Sequence, residues 1–187
     1  MARLYDAALK ERGNGFFSIY VPGVGTPFAD VGDTNQDGDT LGGGAARYGA
    51  DRIHWAILQV INSVHQYLNG GDLIQPNEAK VLVASMSETR LLEGMTRRAM
   101  LTAIAQRLER VVKGHQRRVK SVHVSVFGFS RGAAQARAFV HRLYETAEAW
   151  GSGCGYNIAG IPLYLNFMGI FDTCLLYTSP SPRDVEE

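Results

Sequence analysis

The strongest hydrophobic pattern in the chain is a helical stripe between residues 50 and 68. Its apolar residues recur at the 3.6-residue period of a helix, at Ile53, Ile57, Val60, Ile61, Val64 and Leu68. The pair Gly70-Gly71 predicts the end of this helix. A second stripe predicts a helix that begins near Ser87 and ends at Gly114, with methionine and leucine as core packing. A short amphipathic helix is predicted from Arg3 to Arg12.

Runs of β-branched and aromatic residues predict strands in other parts of the chain. Residues 16–21 form one such run, which Pro22 ends. Residues 163–171 form another. Residues 80–84 also fit a short strand, although residues 77–85 fit a turn of helix equally.

The stretch from Val122 to Val140 predicts a buried strand, a sharp turn and a helix, with Ser130 at the turn. Gly128, Ser130 and Gly132 give the pattern G-x-S-x-G. On a strained strand-to-helix turn the serine hydroxyl projects from the sheet, and the glycines allow the flanking chain to approach closely. The positive end of the following helix dipole then points at the serine. This context favours a nucleophile over a structural serine in a tight turn.

Asp172 stands at the end of the predicted strand 163–171. A strand, a helix and a strand around Ser130 imply a parallel crossover, which brings Asp172 to the same edge of the sheet. A carboxylate at that edge can orient a histidine as the third member of a Ser–His–Asp relay. The alternative is an aspartate that caps a following helix.

The glycine-rich turn at residues 22–26 directly follows a predicted strand. In doubly wound sheets such turns line the crevice in which ligands bind. The turn, with Gly25, could therefore provide one backbone N–H of an oxyanion hole, and Arg131 the other. A plain loop is the alternative.

Residues 33–39 half match a calcium-binding loop. Asp33, Asn35 and Asp37 occupy ligand positions one, three and five, and Gly38 occupies the sharp turn. The twelfth position, where a bidentate glutamate belongs, is Gly44. The pattern therefore favours a solvated loop, and the predicted hydrolytic chemistry requires neither a metal nor another cofactor.

Composition narrows the class of protein. The 187 residues are 45% hydrophobic and 20% charged, with a formal net charge of +1, which is typical of a globular domain. No basic run indicates nucleic acid as a partner, and no apolar run reaches the ~20 residues of a membrane span. The first residues do not resemble a signal peptide, and two cysteines make no disulfide framework.

Several of these motifs together resemble a known family. Residues 20–28 (YVPGVGTPF), 128–134 (GFSRGAA), 136–139 (ARAF) and 168–173 (MGIFDT) are similar to segments of the type VI secretion phospholipase effectors, in the same order. The resemblance runs from about Arg3 to Thr173. It implies an α/β fold of the three-layer, α/β-hydrolase-like kind, with a mostly parallel sheet and helices on both faces.

The resemblance also implies a function. It suggests a serine lipase with phospholipase A activity on membrane glycerophospholipids, in which Ser130 is the nucleophile and Asp172 the triad acid. Such an antibacterial effector would stay in the bacterial cytoplasm until its delivery into a target cell. A secretion spike or adaptor protein and an immunity protein are the implied partners, besides the membrane substrate.

The chain departs from the family pattern at both ends. The first strand of the family is missing before Arg3, and residues 174–184 resemble a translated sequencing adapter. We therefore expect residues 1–173 to be a partial catalytic domain, truncated at both ends, and residues 174–187 to be a non-native tail.

The triad of this fold runs Ser, Asp, His, yet no histidine follows Asp172. The triad histidine is therefore expected to be absent from this chain, and the fragment alone to be inactive or nearly so. Two other functions remain open, a general esterase for short soluble esters and a non-catalytic interaction or cargo module.

Overall fold

The computed structural model describes residues 2–34, 43–87, 93–149 and 155–173. These residues form five α-helices: α1 (Ala2–Ala7), α2 (Gly43–Asn69), α3 (Pro76–Ser87), α4 (Glu93–Gly114) and α5 (Arg131–Ala149). They also form three strands: β1 (Val122–Phe129), β2 (Asn157–Ile158) and β3 (Ile161–Phe171). Two 3-10 turns lie at Arg12–Asn14 and Ala29–Val31.

The strands form one mixed sheet in the order β1-β3-β2. β1 and β3 are parallel, in a register that runs from Val122 opposite Leu163 to Phe129 opposite Phe171. β2 pairs with β3 antiparallel over two residues. The chain passes from β1 through α5 to β3, so the predicted parallel crossover is confirmed.

The predicted three-layer, mostly parallel α/β-hydrolase sheet is wrong for the residues that the structure describes. They contain one parallel and one antiparallel strand pair. Residues 16–21 were predicted as a strand, but none of the described strands pairs with them, and Phe16 and Tyr20 are exposed. An apolar run without a neighbouring strand has no partner for its backbone N–H and C=O groups, so it does not form a ladder.

Residues 80–84 belong to α3, so the strand interpretation of this segment is also wrong. Ala79, Val83 and Met86 are buried on one face of α3, at helical spacing. Pro76 occupies the first helical position, where its missing N–H costs nothing. The five-residue window resembled a strand because it is rich in valine, and only the longer window shows the helical period.

The helices predicted from long hydrophobic stripes are confirmed. α2 contains the whole predicted stripe, and its residues Ile57, Leu58 and Ile61 are fully buried. α4 ends at Gly114 as predicted, but its predicted start near Ser87 is wrong, because Ser87 is the last residue of α3 and α4 begins at Glu93. Residues 88–92 lie outside the described residues. α1 is shorter than predicted and is followed by a 3-10 turn. None of the described helices is long and apolar enough to cross a membrane.

The two faces of the β1–β3 pair differ in their surroundings. α5 packs on one face, and the core continues from there to α2, α3 and α4. The opposite face carries Phe127, Phe129, Phe167 and Phe171, which are between 43% and 53% exposed. Parallel sheets are usually covered on both faces, so this aromatic face is unusual for such a pair. Among the described residues, only one face of the pair is covered by a helix.

A buried histidine lies among α2, α4 and α5. His54 on α2 is 2% exposed, and its Nδ1 atom has no hydrogen-bond partner among the described residues. Burial is the main reason why the pKa of His54 falls from 6.5 to about 4, and the positive charges of Arg97 and Arg142 lower it further. The imidazole is therefore neutral in the folded chain at neutral pH.

This burial makes stability depend on pH. The unfolded chain binds a proton at His54 below pH 6.5 and the folded chain only below about 4, so stability is lost as the pH falls between these values. We expect His54 alone to lower the free energy of unfolding by about 2–3 kcal/mol between pH 7.5 and 4.5, as measured by urea denaturation.

His54→Leu should remove that part of the pH dependence, because the variant has no imidazole to protonate. His123→Gln is the control, because this side chain is exposed and the pH dependence should remain. If His54→Leu kept the full pH dependence of the unmodified chain, the prediction would be wrong.

Candidate active site

Ser130 is the single residue between the end of β1 and the start of α5. Its φ angle is +54°, in the left-handed region that residues other than glycine rarely adopt. Such a conformation costs about 1–3 kcal/mol and persists only where the surroundings enforce it. The Ser130 N–H donates to the carbonyl of Phe171 at 2.9 Å, and the Ser130 carbonyl accepts from the N–H of Ala133 at 3.0 Å. The turn is thus fixed to β3 on one side and to α5 on the other.

Gly128 permits the close contact between the strand and the helix at this turn. A Cβ atom at Gly128 would lie 2.3 Å from the carbonyl oxygen of Gly132 and 2.8 Å from the Cα of Ala133. A Cβ atom at Gly132 itself would meet nothing within 4 Å. Any side chain at Gly128 would therefore collide with the backbone of α5, whereas Gly132 has room for one.

Asp172 lies at the same edge of the sheet as Ser130. Phe129 and Phe171 are register partners at the ends of β1 and β3, and the two polar residues directly follow them. Asp172 also has a positive φ, +48°, and is exposed. No described residue donates a hydrogen bond to its carboxylate. The structure thus brings a half-buried serine and an exposed carboxylate to neighbouring positions on one edge.

The glycine-rich turn at residues 22–26 also reaches this edge, although no strand precedes it. Gly25 has a φ of +88°, and a Cβ atom there would lie 3.5 Å and 3.6 Å from the two terminal guanidinium nitrogens of Arg131. The Thr26 N–H donates to the Gly23 carbonyl at 3.0 Å, which closes the turn. The side chain of Arg131 therefore contacts the turn that contains Gly25, the other residue predicted to provide an oxyanion donor.

A fully buried arginine holds this turn from behind. Arg52 on α2 donates to the Pro22 carbonyl at 3.0 Å, to the Thr26 carbonyl at 2.5 Å and to the Tyr48 carbonyl at 3.2 Å. Its Nη2 atom also lies 2.8 Å from a carboxylate oxygen of Asp33. Arg52 is not among the site residues predicted from the sequence. A signal existed, because Arg52 lies four and eight residues before Ala56 and Val60 on the buried face of α2.

Asp33, the first residue of the half-matched calcium loop, forms an ion pair with Arg52. Asp33 is 5% exposed and its carboxylate pairs with Arg52, so that oxygen is already occupied. Asn35 and Asp37, the other two candidate ligands, lie outside the described residues. Within the described part of the chain, no group of three acidic, histidine or cysteine residues could hold a metal ion.

All five histidines are described, and each has surroundings away from Ser130. His141 pairs with Glu145 at 3.1 Å, roughly 16 Å along α5 from the serine. His123 contacts Ser121 at 2.8 Å and Asn166 at 2.9 Å, near the opposite end of β1. The remaining three lie on α2 or in the segment after α4: His54, His65 and His115. This chain therefore places no imidazole of its own beside the serine.

Comparison with known proteins finds similarity among solved structures. No protein-family model and no curated protein matches the chain. A crystal structure of an uncharacterized protein from Pseudomonas aeruginosa is similar, with a TM-score of 0.80 and 30% sequence identity. The match covers 92% of this chain and 26% of that chain, so this chain spans about a quarter of the length of that protein.

The difference between the two motif glycines is testable. We expect Gly128→Ala to destabilise the fold by about 3 kcal/mol or more, because its Cβ would overlap the backbone of α5. We expect Gly132→Ala to be neutral or to stabilise the helix by up to about 1 kcal/mol, because its Cβ meets open space. Urea denaturation of the two variants measures both effects. Equal losses of stability in the two variants would show that the close approach at Gly128 is not the limiting contact.

Proposed function

We propose that the chain carries the nucleophile of a serine hydrolase that cleaves acyl esters. The observation that carries this proposal is the turn at Ser130, where a non-glycine residue is held at φ +54° between a strand and a helix. A strained backbone of this kind is typical of functional sites, and it presents a hydroxyl at the edge of a sheet. In this role the Oγ of Ser130 attacks the acyl carbonyl, and a base transfers the hydroxyl proton to the leaving alcohol as the ester bond breaks. Water then attacks the acyl-enzyme, which releases the carboxylic acid and restores the serine hydroxyl.

Backbone N–H groups on both sides of the serine are suited to stabilise the oxyanion. The N–H of Arg131 is the first of α5, where the positive end of the helix dipole also lies. On the other side, the N–H groups of Gly23 and Gly25 donate to no described residue, so they are available to a ligand. Fixed donors aimed at a developing negative charge are among the largest contributions to catalysis of this kind.

Asp172 would orient the histidine that takes the proton from Ser130. Its position at the shared edge and its exposed carboxylate support this role. Because the histidines of this chain lie elsewhere, the proposal requires an imidazole from another part of the whole protein. The neighbour from Pseudomonas aeruginosa, in which the matched part is 26% of the chain, shows that this unit occurs within a longer protein.

The proposed substrate class follows from the resemblance to type VI secretion phospholipase effectors. We propose phospholipase A activity on membrane glycerophospholipids for the whole protein, delivered into a target cell as an antibacterial toxin. A spike or adaptor protein and an immunity protein would be its partners. The motifs at residues 20–28, 128–134 and 168–173 support this assignment, and the structure brings parts of all three to one edge.

Two other functions compete with this proposal. A general esterase would use the same serine, and a preference for monomeric over micellar esters would identify it. An interaction module would keep the turn as a structural element, and the exposed aromatic face of β1 and β3 favours this candidate. If the chain is an interaction module, Ser130 should not form an acyl-enzyme, and no ester hydrolysis should depend on it.

The test supplies the missing base from solution. In a chain without a triad histidine, added imidazole should accept the proton of Ser130 and support hydrolysis of p-nitrophenyl acyl esters. A serine hydrolase that lacks one triad residue keeps part of its catalysis, which comes from the oxyanion hole and substrate binding. We expect added imidazole to raise this residual, Ser130-dependent rate by about 10-fold. Ser130→Ala should reduce the rate to that of imidazole alone. Ser125→Ala is the matched control, because this serine is exposed on β1.

Two outcomes would contradict the proposal. One is imidazole-dependent hydrolysis that survives Ser130→Ala. The other is a rate that never exceeds that of free imidazole while circular dichroism shows a folded chain. Asp172→Asn should leave the imidazole-supported rate within about 3-fold, because free imidazole does not depend on Asp172 for its orientation.

A further inference from the structure

We infer that Arg52 is a positioning residue for the oxyanion donors of the 22–26 turn. The inference rests on the proposed function, since it concerns the same site. Arg52 is 0% exposed and lies on α2, so it reaches the turn from the core and does not touch the reacting atoms. It binds the carbonyls of Pro22 and Thr26, the first and last residues of the turn.

The hydrogen bond from Arg52 to Pro22 determines where the N–H of Gly23 points. The C=O and N–H of a trans peptide point in opposite directions. Because Arg52 holds the Pro22 carbonyl towards the core, the N–H of Gly23 in the same peptide is directed away from the core. The bond to the Thr26 carbonyl fixes the other end of the turn, and Gly25 lies between these two anchored ends. The Gly23 and Gly25 N–H groups have no acceptor among the described residues, and both glycines are exposed.

The guanidinium group suits this task for reasons of geometry. It bonds three carbonyl oxygens and one carboxylate oxygen, of Pro22, Thr26, Tyr48 and Asp33, with its three nitrogens. A planar fork with five N–H donors can satisfy acceptors in several directions at once, whereas the ammonium of lysine is a point charge on a flexible stem. Asp33 balances the buried charge and is itself fixed by backbone hydrogen bonds with Phe28 at 2.8 Å and 3.1 Å.

Arg131, the residue that follows the serine, contacts the turn from its solvent side. Its guanidinium lies against Gly25, whereas Arg52 binds the turn from the core. A Cβ atom at Gly49 of α2 would lie 3.8 Å from the side chain of Val24 and 4.0 Å from that of Gln135 on α5. Val24, in the middle of the turn, therefore lies near the first turns of α5. A shift of the turn would therefore move its N–H groups relative to the serine.

The test compares Arg52→Met and Arg52→Lys with Arg107→Met. Arg107 on α4 is the control, because it also joins a carboxylate and a backbone carbonyl, those of Glu78 on α3 and Leu73 before α3, away from this turn. The readouts are kcat and KM of the imidazole-supported ester hydrolysis, and hydrogen exchange at the Thr26 amide, which is bonded to the Gly23 carbonyl.

We expect Arg52→Met to lower kcat by about 100-fold, the effect of a misplacement of about 1 Å, with KM nearly unchanged, because the oxyanion forms only in the transition state. Exchange at the Thr26 amide should accelerate at least about 10-fold, because its hydrogen bond to the Gly23 carbonyl breaks whenever the turn opens. Arg52→Lys should recover part of kcat, and Arg107→Met should change neither readout at this loop.

The outcomes separate this inference from the proposed function. A folded Arg52→Met chain with unchanged kcat and unchanged exchange overturns the inference, and so does an Arg107→Met chain that loses kcat equally. If Arg52→Met does not fold, Arg52→Lys decides, and wild-type values of kcat and exchange in that variant overturn the inference. If no hydrolysis depends on Ser130, the proposed function fails, and exchange at the Thr26 amide still shows whether Arg52 fixes the loop.

Discussion

The parallel pairing of β1 with β3 is the constraint on which the candidate site depends. The two strands keep register up to Phe129 and Phe171, and a last backbone hydrogen bond joins the Ser130 N–H to the Phe171 carbonyl. Because parallel strands end at the same edge, the residue after each strand is delivered to the same place. The positions of Ser130 and Asp172 therefore follow from the ladder, and side chains need not hold them together.

Two further constraints place the other parts of the site against this edge. The missing Cβ of Gly128 lets α5 start within contact distance of β1, which directs the helix N-terminus at the serine. The buried Arg52 holds the 22–26 turn beside that N-terminus. The first constraint is local and the second joins residues 26 and 30 positions apart in the chain. Their different ranges explain why one was visible in the sequence and the other was not.

Sequence reasoning succeeded where a pattern is local. The strand, turn and helix around Ser130 lie within one short window, and the stripe of α2 repeats over almost twenty residues. It failed where the answer depends on distant partners. Residues 16–21 have the composition of a strand, yet no described strand pairs with them. The helical spacing places Arg52 on the buried face of α2, but its partners in Asp33 and the 22–26 turn become visible only in the fold. The predicted sheet was too large because it was inferred from the family resemblance. The hydrophobic patterns of this chain do not determine how many strands pair in one sheet.

Backbone strain gives an independent reason to connect the edge with chemistry. Three described residues other than glycine have a positive φ, namely Ser130, Ala159 and Asp172. Ala159 lies beside Gly160 in the two-residue connection between β2 and β3, where such angles are required by the hairpin. No hairpin of the described residues includes Ser130 or Asp172, and both stand at the end of the same parallel pair. Strain of this kind is retained only where the surrounding structure enforces it, and it clusters at functional sites. The strained backbone at Ser130 and Asp172 therefore marks this edge of the sheet as the part of the described fold that packing alone does not explain.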